Sequence, residues 1–61
     1  MNIPKDPYIL LSYINTQLRD HYSSLDDLCR SLLIEQDDLK TTLSSIGYIY
    51  IEALNSFSDS F

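Results

Sequence analysis

The chain has 61 residues, room for one domain whose core is small: a chain this size buries only roughly 60% of the surface its unfolded form exposes. Four Lys/Arg stand against nine Asp/Glu, a net charge of -5, which opposes binding to phosphate backbones and anionic membranes. Cys29 is the only cysteine and His21 the only histidine, so an internal disulfide and a Cys/His zinc site are both excluded.

Residues 1–5 read as an extended arm. Asp6-Pro7 opens the first helix: Asp caps, and Pro suits the first helical position. Leu10, Leu11, Ile14 and Leu18 follow at helical spacing and predict a helix over about 6–21. Ser24 with Asp27 resembles a capping box and starts a second, short helix. Leu25, Leu28, Cys29 and Leu32 form its inner face. Leu33-Ile34 reads as a buried turn. A third helix is expected over about Glu35–Ile46. Its acids Glu35, Asp37 and Asp38 suit the positive end of the helix dipole, its core stripe is Leu39, Leu43 and Ile46, and Gly47 ends it.

Beyond Gly47 the pattern changes. Tyr48-Ile49-Tyr50-Ile51 is β-branched and aromatic and predicts a strand. Ser56-Phe57 pairs back in the preferred reading; a fourth short helix over Glu52–Phe57 is the alternative. With Ile49 and Ile51 turned toward the helices, Tyr48 and Tyr50 would face outward. The expected fold is thus mainly α: one three-helix, helix-turn-helix-like domain over residues 1–57 with a short wing-like C-terminal β-hairpin. Residues 58–61 read as a flexible tail.

The segment Leu28 to Leu43 has the skeleton of a helix-turn-helix, with the small Cys29 allowing close helix approach. Leu33 stands where such turns often use Gly. A DNA reader would aim Lys40, Thr41 and Ser44 of the third helix at the groove. Three acids face one base across Glu35–Lys40, and the four cations Lys5, Arg19, Arg30 and Lys40 are scattered. Specific DNA binders ordinarily meet about 6–10 phosphates. Nucleic acid is therefore the disfavoured partner.

The opening Met1-Asn2-Ile3-Pro4-Lys5-Asp6-Pro7 is unusual, as is Asn15-Thr16-x-Leu18-Arg19-Asp20-x-Tyr22-x-Ser24-Leu25. With Ile46-Gly47-Tyr48-x-Tyr50 and Asn55-x-Phe57, the chain resembles a small bacterial family catalogued as domain of unknown function 4250. The resemblance covers about residues 1–57. It implies a bacterial cytoplasmic protein and carries over no catalytic or binding residue.

Chemistry finds little to use. His21 is expected to be partly buried at a helix end, and Cys29 to be a small buried hydrophobe. Asp26-Asp27 and Asp37-Asp38 read as solvated helix starts. One Gly in the chain excludes a phosphate-cradling loop. These readings predict no enzyme, no cofactor, no metal and no small-molecule substrate. No strictly apolar run is longer than that of Tyr8–Leu11, which is far too short to span a membrane, and no secretory leader is visible, so a cytoplasmic location is expected. What stands out is apolar surface: Ile9 and Tyr13 lie off the core stripe of the first helix, and Tyr48 and Tyr50 would lie outside the strand. Tyrosine is enriched at interfaces, although scattered surface aromatics are also ordinary. The expected function is a non-enzymatic interaction domain, contacting a protein partner or a second copy through Ile9, Tyr13, Tyr48 and Tyr50. The alternative is a nucleic-acid-binding helix-turn-helix regulator.

Overall fold

The computed structural model describes residues 3–60; Met1, Asn2 and Phe61, part of the expected arm and tail, lie outside the described residues. Three helices come first: α1 (Pro7–Asp20), α2 (Leu25–Leu32) and α3 (Gln36–Ser44). Two antiparallel strands follow, β1 (Tyr48–Ile51) and β2 (Ser56–Asp59), joined by a 3-10 turn over Glu52–Leu54. The helix-turn-helix order with a terminal hairpin is therefore present. Of the alternative helix over Glu52–Phe57, only that single turn exists.

Local chemistry explains the helix starts. Asp6 Oδ1 accepts the Tyr8 and Ile9 N–H groups at 2.9 and 3.3 Å, with Pro7 in the first turn. Ser24 Oγ accepts the Asp27 N–H at 3.1 Å. Each side chain satisfies a donor that the helix itself leaves free. At the end of α1, His21 leaves helical geometry (φ -130°, ψ -22°). Its side chain is exposed rather than partly buried, because the helical wheel no longer governs its direction.

The core takes Leu10, Ile14 and Leu18 from α1, Leu25, Leu28 and Cys29 from α2, Leu39 and Leu43 from α3, and Phe57 from β2. No polar side chain among the described residues is buried. α3 stops at Ser44, short of the expected Ile46, and the chain turns through Ser45 to Gly47, whose φ of 83° suits a residue without a Cβ.

The turn between α2 and α3 departs from expectation. Leu33 takes the left-handed conformation (φ 57°, ψ 44°) that glycine normally supplies. Its N–H and that of Ile34 both reach the Cys29 carbonyl, the latter at 3.0 Å. The tight turn forms despite the leucine. Leu32 and Ile34 pack against the core, while Leu33 is 92% exposed. Of the turn expected to be buried, only Ile34 is covered.

The hairpin corrects two further expectations. Ser58 and Asp59 pair with Ile49 and Tyr48, and the Ser60 N–H donates to the Gly47 carbonyl at 2.8 Å. Residues 58 and 59 of the expected tail thus belong to β2, and Ser60 is bonded to the residue just before β1. The faces of β1 are also reversed. Tyr50 lies opposite Phe57, and directly opposed residues share a face. With Phe57 in the core, both tyrosines turn inward, and Ile49 is left 45% exposed.

A left-handed leucine costs about 1–2 kcal/mol relative to its relaxed conformations, and a glycine repays part of this in unfolded-chain entropy. Leu33→Gly is expected to stabilise the fold by roughly 0.5–1 kcal/mol, read as a higher urea midpoint at unchanged slope. A lower midpoint would mean that Leu33 contributes packing despite its exposure.

Candidate protein-binding groove between α1 and the hairpin

Asn15 sits on the side of α1 that faces β2. Its amide nitrogen donates to the Phe57 carbonyl at 3.0 Å, and its amide oxygen accepts the Phe57 N–H at 2.7 Å. The side chain thus pairs with β2 as a neighbouring strand would. Asn55 makes a second tie. Left-handed at φ 48°, it closes the hairpin connection, and its amide nitrogen donates to the carbonyls of Leu18 at 3.1 Å and Tyr22 at 2.9 Å. The Tyr50 hydroxyl donates to Asn55 Oδ1 at 2.8 Å and accepts the Leu25 N–H at 3.3 Å. Its ring packs against Phe57 with centroids 5.5 Å apart. The hairpin is therefore tied to the end of α1 and the start of α2 through part-buried polar groups that satisfy one another.

These ties set the walls of a groove of about 830 Å³ between α1 and the hairpin. Tyr8, Leu11, Thr16 and Arg19 line it from the helix, and Tyr48 and Leu54 from the hairpin. Tyr8 and Leu54 are 64% and 66% exposed. Arg19 is held by the neighbouring Asp20 carboxylate through two bonds of 2.9 Å, which also keep the Asp20 carboxyl below its ordinary range.

The four contact residues named from the sequence do not form one patch. Tyr48 lines this groove, whereas Tyr50 is engaged inside the hairpin ties and lines clefts on the α3 side. Ile9 is 59% exposed and Tyr13 is partly buried against the core; neither lines the groove. Sequence reasoning missed Tyr8, Leu11 and Leu54. Tyr8 and Leu11 lie in the same helical row as Asn15, a signal that becomes readable only once β2 is known to lie along that row.

The three DNA-contact candidates are brought together. Lys40, Thr41 and Ser44 line one cleft of about 320 Å³ with Ile49, Tyr50 and Phe57. Each is exposed, and the Ser44 hydroxyl donates back to the Thr41 carbonyl at 3.1 Å. Of the four cations, Arg19 is paired with Asp20 and Arg30 with Asp26.

Among the described residues, no group of three or more His, Cys, Asp or Glu is placed to hold a metal ion. No helix among them is long and apolar enough to cross a membrane. Cys29 is buried at 6% exposure. Burial pushes its thiol above the ordinary value, and the nearby Asp26 carboxylate adds to the rise.

Two outcomes follow from this geometry. Asn15→Ala strands the Phe57 N–H and carbonyl in a part-buried site and is expected to cost about 2–3 kcal/mol, with loss of hydrogen-exchange protection at the Phe57 amide. Unchanged protection there would show that the amide is not the tie. For Cys29, the unfolded thiol ionises near about 8.5 while the folded one still holds its proton. Above that pH the folded chain binds more protons, so stability falls as pH rises toward the raised folded value. Urea midpoints are expected to fall more steeply over this range for the wild type than for Cys29→Ala; equal slopes would contradict it.

No curated protein matches the chain, and no solved structure does. The family described as "Domain of unknown function (DUF4250)" matches residues 4–57. The residues that tie hairpin to helices, Asn15, Tyr50, Asn55 and Phe57, are among those on which the sequence resemblance rested, and they fall inside the matched span. The chain belongs to the DUF4250 family.

Proposed function

We propose that this chain is a non-enzymatic protein-interaction domain of the bacterial cytoplasm, and that the groove between α1 and the hairpin holds a segment of a partner protein. One observation carries the reading. Tyr8 and Leu54 hold large, mostly exposed side chains at a groove whose walls are joined by the Asn15 and Asn55 ties. Aromatic and aliphatic anchors around a pre-formed concave surface are what a protein contact uses. The charge of -5 favours a segment with apolar anchors and basic flanks. The single histidine and single cysteine support a role without catalysis. One is exposed at the end of α1, and the other is buried in α2 with its thiol kept neutral.

A second reading, a nucleic-acid-binding regulator, is favoured by the common placement of Lys40, Thr41 and Ser44 on one cleft. Against it, Glu35, Asp37 and Asp38 are exposed at the start of α3, and two of the four cations are tied to carboxylates.

Selection of peptides from a random display library on the folded chain tests the first reading. The selected peptides are expected to be rich in apolar anchors flanked by Lys or Arg. Tyr8→Ala and Leu54→Ala should each weaken them at least tenfold, and their titration should shift the amide signals of Leu11, Thr16 and Tyr48. Peptides indifferent to both substitutions would sink the groove. Salt-sensitive binding to duplex DNA, lost in Lys40→Glu, would put the second reading in its place.

A further inference from the structure

We propose that two copies of this chain associate through the outer edge of β1, their strands running antiparallel about a twofold axis. Tyr48 also lines the α1 groove, but the proposal concerns the backbone edge of β1 and does not depend on what that groove holds.

The ties to α1 reveal which way the backbone of the hairpin points. Phe57 directs both its N–H and its carbonyl at Asn15, so neither is directed at β1. In an antiparallel pair, opposed residues alternate between those that exchange bonds and those that do not. Tyr50, opposite Phe57, is therefore of the second kind, and its N–H and carbonyl point away from β2. Tyr48, two residues earlier, points the same way. The bond from Ser60 to the Gly47 carbonyl confirms the alternation, since it places Gly47, Ile49 and Ile51 on the bonded side. Among the described residues, no bonding partner is present for the outward backbone groups of Tyr48 and Tyr50.

Sheet edges in natural proteins are usually blunted by Lys, Pro, a bulge or a covering element. β1 contains no Lys or Pro, and its register with β2 runs without a bulge. α3 packs beside β1, and a cleft lined by Lys40, Thr41 and Ser44 borders the strand at Ile49 and Tyr50.

A second copy fits this edge for three reasons. A twofold between antiparallel strands is self-complementary. The N–H and carbonyl of Tyr48 would exchange bonds with those of the second copy's Tyr50, and the reverse. In that register Ile49 meets the second copy's Ile49 at the axis, in the close, non-bonded type of pair, and an isoleucine now 45% exposed is covered on both sides. Charge agrees as well. β1 is uncharged in a chain of net -5, so the strands meet without like charges opposed. Lys40, Asp26 and Glu52 line a hollow beside Tyr50, so both signs are present next to the contact. The product is a four-stranded sheet in place of a two-stranded one.

Sedimentation equilibrium with amide hydrogen exchange on the intact chain tests this. A monomer–dimer equilibrium is expected, with the Tyr48 and Tyr50 amides slowing as protein concentration rises. Ile49→Lys sets like charges opposite each other at the axis and should weaken the dimer at least tenfold. Tyr8→Asp, in the α1 groove, should leave the dimer intact. A chain that stays monomeric to millimolar concentration overturns the proposal. So does a dimer in which those two amides exchange independently of concentration, a reading on the wild type that stands even if Ile49→Lys fails to fold. A dimer lost with Tyr8→Asp but not with Ile49→Lys would assign self-association to the groove instead.

Discussion

A hairpin of two four-residue strands has no independent stability in water, and the side chain of Asn15 is what makes this one part of the fold. One amide group bonds both the N–H and the carbonyl of Phe57, so β2 sits against α1 as if against another strand. The rest of the hairpin geometry follows. Phe57 enters the core, the Tyr50 ring packs tilted beside it, and the Tyr50 hydroxyl joins Asn55 to the first N–H of α2. For a chain whose total stability is on the order of 3–9 kcal/mol, these few polar contacts are a large share of what holds helices and hairpin together. They also determine what is left over: a groove on the α1 side and, among the described residues, an unpaired edge on the other.

Shape and charge point to different partners in this molecule. The α2–α3 unit has the outline of a helix-turn-helix, and its turn closes even with Leu33 in a left-handed conformation. The surface chemistry is less accommodating. The start of α3 carries three exposed carboxylates, and two of the four cations bond to neighbouring aspartates rather than standing free. Such exposed pairs contribute little to stability, but they reduce the positive field available to a polyanion. The proposed contacts are instead apolar, at Tyr8, Leu54 and Ile49, each largely or half exposed. Membership of the DUF4250 family is consistent with this reading without adding to it.

Leu33 and the two tyrosines of β1 show where local patterns mislead. Glycine is preferred at a left-handed position, yet the packing of Leu32 and Ile34 on either side outweighs the local cost and turns Leu33 to solvent. Isoleucine is more apolar than tyrosine, so alternation alone directs Ile49 inward. The face of a strand is decided by its partner, however, and Phe57 in the core brings Tyr50 with it.

The sequence by itself determined the number, order and starting points of the helices, because caps such as Asp6 and Ser24 and the four-residue spacing of Leu10, Ile14 and Leu18 act within one or two turns of chain. It also determined the acidic character that argues against nucleic acid, since charge is additive and needs no fold. Only the tertiary structure decided which face of β1 is buried, how far the hairpin extends, and where the groove lies. Each depends on Asn15 meeting Phe57 across 42 positions of sequence, and no local pattern encodes a contact between segments so far apart.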